Sequence, residues 1–377
     1  MTSIIYVGMD VHTTNYTLCC YSMEDDRFFA EVQVEPDAKN ILKYLARIEK
    51  QQSRDCRIVC GYEAGCLGYS LYHQLHAHGI DCVILAPTTM MTKPGKRIKT
   101  DRRDARLISK CLAFHTYSPV YIPTEVDDAV KEYIRMRDDA NSALARVKQQ
   151  IIAFCIRHGK IHDGKSYWTN KHLEWLSSLD LGNKILSEVL QEYLIRYYHL
   201  QEQVDMYDMR INELAQAEPY RQKVEKLGCF RGIAAHTALS FCVEVGDFRR
   251  FATAQQFASY LGLVPGECSS GDKQQYTGIT KAGNSHLRKL LVETAQVFGR
   301  SATKSGKSVA LKERQAKCDS LTVAYADKAN ARLKKKYFKI AMRSKVNIAK
   351  TAVAREMACF IWGMMTDNIC LLYTSPS

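Results

Sequence analysis

Ser3-Ile4-Ile5-Tyr6-Val7-Gly8-Met9-Asp10-Val11 reads as a buried strand that ends near a carboxylate. Asn15 to Ser22 reads as a second strand, Glu24-Asp25-Asp26 as a polar turn, and Phe28 to Val34 as a third strand with alternation. Three strands joined by short turns predict an antiparallel meander. Pro36-Asp37 opens a helix to about Lys50, with Ile41, Leu42, Leu45 and Ile48 at helical spacing. A fourth strand, Arg57 to Glu63, ends on a second carboxylate and is broken by Gly65 and Gly68. A helix (Tyr69 to His78), a stop at Gly79 and a fifth strand (Asp81 to Leu85) follow. This order predicts an α/β domain with a mixed sheet. Asp10 and Glu63 end strands that can lie side by side, and in open α/β sheets functional groups gather beyond the carboxyl ends of the strands.

The next helix begins at Lys99-Thr100-Asp101-Arg102-Arg103-Asp104-Ala105. Its two carboxylates, three residues apart, share one helical face. Lys93, Lys96, Arg97 and Lys99 precede them, and two arginines lie between. Acids held on one face in so basic a setting suggest a divalent-metal site that meets a polyanion. On this stretch alone, a surface helix whose Asp/Arg pairs neutralise each other is the preferred reading.

The 377 residues allow two or three domains, and 46% hydrophobic with 25% charged content fits a globular protein. No apolar run is long enough to span a bilayer, and Met1-Thr2-Ser3 leads straight into a strand, so neither a secretory signal nor a membrane partner is expected. The fourteen cysteines show no Cys-x-x-Cys pair and read as reduced, mostly buried thiols of a cytoplasmic protein. The net charge of +13 is concentrated: Lys273 to Lys350 holds 19 basic against four acidic residues. Phosphate backbones are the expected partner of such a surface. A membrane-binding reading wants one amphipathic basic helix, whereas this charge spans several segments.

Asp10, Glu63, Asp101 and Asp104, together with Gly8-Met9-Asp10-Val11-His12, resemble the acidic tetrad of a ribonuclease H-like (RuvC-like) domain in the DEDD recombinases. These are bacterial insertion-sequence transposases and the related Piv-type DNA invertases. The resemblance implies that the four acids bind Mg²⁺ (or Mn²⁺) beside a scissile phosphate. Chemistry agrees: clustered carboxylates need cations to stay ionised, and hard oxygen ligands suit these ions.

Downstream, Val130, Ile134, Leu144, Val147, Ile151 and Phe154 line one long helix that ends near Gly159. A polar segment with Trp168 and Trp175 follows. Leu190, Tyr193, Tyr197, Leu200, Val204, Tyr207, Ile211 and Leu214 then step by three and four. This coiled-coil-like spacing fits two helices paired within the chain, pairing between chains, or an ordinary buried hairpin; the tyrosine stripe reads as core. Leu227 to Ala238 resembles a helix-hairpin-helix, with Gly232-Ile233-Ala234 where relatives usually carry Gly-Ile-Gly. Phe251 through Arg288 resembles the family's carboxyl-terminal transposase domain, in which a serine before glycine attacks DNA. The matching residue is Ser270, with Ser269 a nearby alternative. Lys281, Arg288 and Lys289 are candidate phosphate clamps, and Lys334, Lys335 and Lys336 a candidate nucleic-acid track.

The expected organisation is a RuvC-like α/β domain (1–125), a helical linker (126–218), a mainly α-helical carboxyl-terminal domain (219–367), and a non-native or disordered tail (368–377). The resemblance implies a recombinase that cuts and rejoins donor and target DNA through a phosphoserine, with a structured bridge RNA as guide and a dimeric or tetrameric assembly. One rival is a RuvC-like nuclease of branched DNA that uses metal-activated water and needs no Ser270. Sugar kinases and actin-like ATPases share the strand pattern, but the acidic turn Glu24-Asp25-Asp26 would repel a nucleotide. For a non-enzymatic nucleic-acid-binding protein, four aligned carboxylates would be a liability.

Overall fold

The structure is a computed structural model that describes residues 3–52, 56–65, 67–90, 100–267, 276–300 and 306–369. The chain forms two compact units, Met1–Ile122 and Pro123–Ser377.

The first unit is built on five strands, β1 (Ser3–Val11), β2 (Tyr16–Ser22), β3 (Arg27–Val34), β4 (Cys56–Glu63) and β5 (Asp81–Leu85), in the order β3-β2-β1-β4-β5. β1, β2 and β3 pair antiparallel as the meander expected from the sequence, and β4 and β5 add parallel to β1. The near-continuous apolar runs of β1 and β2 follow from cover on both faces. On one face, Ile41, Leu45 and Ile48 of α1 (Ala38–Gln51) and Leu71 and Leu75 of α2 (Ser70–Ala77) pack with Ile5, Val7, Met9 and Tyr62. The Asp37 carboxylate caps α1 by accepting from the Lys39 amide at 2.8 Å. On the other face, Ile108, Cys111 and Leu112 of α3 (Asp101–Ala113) pack with Tyr6, Tyr21 and Leu85.

Among its described residues the second unit is helical apart from two short antiparallel strands. α4 (Glu125–Arg157) and α6 (Lys184–Gln216) pack against each other through Leu144, Val147, Ile151 and Phe154 on one and Leu190, Leu194, Tyr197 and Val204 on the other. The heptad-spaced apolar residues are therefore satisfied within the chain, and Tyr197 is core. Arg137 and Asp208 join the same two helices by a bidentate pair at 2.7 and 2.9 Å. The polar segment with both tryptophans contains a further short helix, α5 (Asn170–Ser177), where the sequence reading placed none; Thr169 caps it and His172 and Leu176 are buried.

Beyond these lie α7 (Arg221–Gly228), α8 (Ala235–Val245), α9 (Ala254–Tyr260), the strands β6 (Pro265–Glu267) and β7 (Tyr276–Ile279), α10 (Ser285–Gly299), α11 (Val309–Gln315), α12 (Ser320–Ala341) and α13 (Val346–Met365). Phe230, Phe241, Phe257, Phe298, Leu333 and Met357 belong to their common core. Among the described residues no helix is long and apolar enough to cross a membrane, and the described cysteines are free and mostly buried.

Candidate metal centre

Met9 pairs with Tyr62 in the parallel register of β1 and β4, so Asp10 and Glu63 are the next residues on adjacent strands. Met9 and Tyr62 are buried beneath α1 and α2. Strand alternation therefore turns Asp10 and Glu63 to the opposite face, which carries α3. Gly8 shares that face. A Cβ there would lie 2.0 Å from the Ala105 carbonyl oxygen and 2.4 Å from the Ser109 nitrogen. Only glycine admits the helix so close, and the first turn of α3 holds Asp101 and Asp104. The spacing of one glycine and one carboxylate on β1 thus sets where the helix acids arrive.

One ligand atom from each of Asp10, His12 and Asp101 lies within 4.8 Å of the others. Burial raises the pKa of Asp10; His12 lowers it, and the charges of Asp104 and Asp101 raise it again. Glu63 neighbours Asp10 by strand register and is exposed; neither it nor Asp104 belongs to the group whose ligand atoms lie within 4.8 Å of one another. Two arginines of α3 turn to another strand. Arg102 and Arg106 reach Glu31 on β3 at 3.3 and 2.7 Å, which counts against an α3 whose Arg102 neutralises its own acids. An oxygen-rich donor set of this kind fits a hard divalent cation.

Residues 7–156 match the sequence profile of the DEDD transposases of the IS110 group, and residues 225–314 match that of the "Transposase IS116/IS110/IS902 family". A Sinorhizobium fredii protein named as transposase y4qE is 36% identical over 81% of this chain and 75% of its own length. The transposase for insertion sequence element IS1533 of Leptospira borgpetersenii is 32% identical over 88% of this chain and 95% of its own. That for IS1111A of Coxiella burnetii is 25% identical over 68% and 71%. The chain belongs to the DEDD insertion-sequence transposases. The family implies divalent-metal use, and the acidic cluster lies within its matched amino-terminal region.

In this DEDD transposase Ser269 and Ser270 lie outside the described residues, as do Lys93, Lys96, Arg97, Lys99 and the tail 370–377. The two serines fall between β6 and β7, where Glu267 pairs with Tyr276. Lys281 and Lys289 are exposed, and Lys281 adopts a left-handed backbone, φ 57°. Arg288 is half-buried and donates to the Leu261 carbonyl at 3.0 Å, so part of its guanidinium closes the end of α9. The lysine track is mixed: Lys335 is exposed, Lys334 half-buried, and Lys336 bridges Glu356 at 2.5 Å beside Arg332. In the hairpin turn Gly232 takes φ 85°, and a Cβ there would meet Thr294 and Val297 of α10 at 2.9 and 3.0 Å. Packing against α10 therefore accounts for this glycine.

Sequence reading missed His12 as a member of the cluster, although strand periodicity places it on the face of Gly8 and Asp10. It also missed a half-buried network in the second unit. Asp138 on α4 lies 2.9 Å from Nε2 of both His236 and His286. His286 Nδ1 lies 3.3 Å from Glu244, whose other oxygen accepts from Asn284 at 2.9 Å. Burial alone would raise the Glu244 pKa, but His286, Arg135 and Asn284 bring it down to about 2. Burial alone would lower that of His286, but Asp138 and Glu244 push it up to about 9. Asp138, despite its burial, is held well below the usual carboxylate range by both histidines and Arg137.

Proposed function

We propose that this protein cuts and rejoins DNA at the ends of an insertion sequence, with Ser270 as nucleophile and Asp10, Glu63, Asp101 and Asp104 as ligands of Mg²⁺ or Mn²⁺. The observation that carries the reading is the meeting of the ends of β1 and β4 with the first turn of α3, in a chain of this family. When bound, a divalent ion supplies charge stabilisation at a phosphate and activation of an oxygen nucleophile. The Ser270 hydroxyl loses its proton and its Oγ forms a bond to phosphorus. The scissile P–O bond breaks, and the departing sugar oxygen takes up a proton. The phosphoserine keeps a diester, so attack by a DNA hydroxyl reverses the step without an external energy source. Lys281, Lys289 and Lys335 bind phosphates of donor and target DNA. A structured guide RNA on the basic segment supplies sequence choice, and two or four protomers supply the active sites that strand exchange needs.

A covalent-trapping assay tests this reading. The protein, purified with any bound RNA, is mixed with Mg²⁺ and labelled DNA from the ends of its own element. A denaturation-resistant protein–DNA band is expected in wild type and is expected to vanish in Ser270→Ala and Asp104→Ala. Cleavage that leaves no band and survives Ser270→Ala would replace the serine mechanism with metal-activated water.

A further inference from the structure

We propose that His12 is itself a ligand of the bound ion and biases the centre toward Mn²⁺ over Mg²⁺, an inference that rests on reading the acidic cluster as a metal centre. His12 directly follows β1, and the alternation that puts Gly8 and Asp10 on the α3 face puts His12 there too. Its amide donates to the Asn15 carbonyl at 3.0 Å, which fixes the residue within the turn to β2. Its Nε2 lies 3.3 Å from each of the two Asp10 carboxylate oxygens, and one of its ring nitrogens lies within 4.8 Å of an Asp101 oxygen. The imidazole is 46% exposed. Packing therefore does not dictate its orientation, and the ring stands at the open side of the cluster facing two acids.

The ring nitrogen that faces both Asp10 oxygens is placed to share an ion with that carboxylate. Imidazole adds a donor without adding negative charge to a cluster that already has an excess. Its nitrogen is a poor ligand for Mg²⁺, which demands oxygen donors in near-ideal octahedral geometry and retains water. Mn²⁺ accepts mixed nitrogen and oxygen donors, so the same histidine favours it.

The test uses the full chain without DNA and MnCl₂ or MgCl₂ as probe. Mn²⁺ binding is followed by electron paramagnetic resonance, nitrogen coordination by electron spin-echo modulation from ¹⁴N, and Mg²⁺ by competition. Wild type, His12→Ala and Asp10→Asn are compared. Wild-type Mn²⁺ is expected to show imidazole ¹⁴N modulation that His12→Ala abolishes. His12→Ala should weaken Mn²⁺ by about tenfold or more and Mg²⁺ by less than about twofold. Asp10→Asn should weaken both ions. Stoichiometric Mn²⁺ binding without ¹⁴N modulation, or an equal loss for both ions in His12→Ala, overturns the inference and leaves the metal centre standing. Failure of wild type to bind either ion overturns both.

Discussion

The two units handle buried acid in opposite ways. At the ends of β1 and β4, carboxylates are gathered while Arg102 and Arg106 are led away to Glu31. Around Asp138, every acid is matched: two histidines and Arg137 on Asp138, and His286, Asn284 and Arg135 on Glu244. Burial and its neighbours leave the Asp10 pKa raised, while those of Asp138 and Glu244 are lowered. A carboxylate cluster that lacks cations holds like charges together at a cost, and an ion from solution relieves it. A cluster that carries its own cations stabilises the fold and has nothing left to bind. On the proposed function, the same residue type serves chemistry in one unit and architecture in the other.

The largest expected effect separates the two directly. Asp104→Asn should reduce DNA cleavage on the order of 10³-fold, while the melting temperature stays level or rises because a like charge is removed. Asp138→Ala should do the reverse in the second unit. It strands buried cations and costs about 3–4 kcal/mol in urea denaturation. If Asp138→Ala leaves stability unchanged, the matched network is not structural.

A pH series sharpens the contrast. The folded pKa of His286 is raised from 6.5 to about 9, so its contribution is complete below 6.5 and lost as pH rises through about 9. Glu244, lowered from 4.5 to about 2, contributes above 4.5 and loses that contribution as pH falls through about 2. Wild type should thus lose about 3 kcal/mol between pH 6.5 and 9, and His286→Gln should flatten that slope. A wild-type profile that is level over this range would break the argument.

Gly8→Ala should cost about 1–3 kcal/mol by forcing α3 away from β1, and it should weaken Mn²⁺ binding although no acid has changed. The smallest effect belongs to the surface. Lys335→Ala should lower the slope of log affinity against log salt for nucleic acid by about 1, whereas Lys336→Ala, which leaves Glu356 with Arg332 alone, should cost stability as well.

The first unit was largely legible because its signals are local. The apolar runs of β1 and β4, the cap at Asp37 and the spacing of Asp101 and Asp104 each lie within a few residues. Strand pairing then carries Asp10 to Glu63 without further information. The network around Asp138 was not legible: His286 is 148 positions from Asp138, and nothing in either neighbourhood announces the other. His12 lay within sight, two residues past Asp10, but a histidine after a strand has many uses and only geometry selects one. Lys336 shows the converse. A run of three lysines reads as a cationic surface, yet the helical period of α12 turns its third member to Glu356.

Gly8 has a bearing on how copies of such a mobile sequence are judged alive or dead. Its hydrogen in place of a methyl sets the gap between sheet and helix, and the acids only inherit that gap. A copy that drifted to alanine at this position would pass any inventory of its four acids and its serine. On the proposed function it would nonetheless carry a set of acids whose halves no longer meet, a broken tool with every part present.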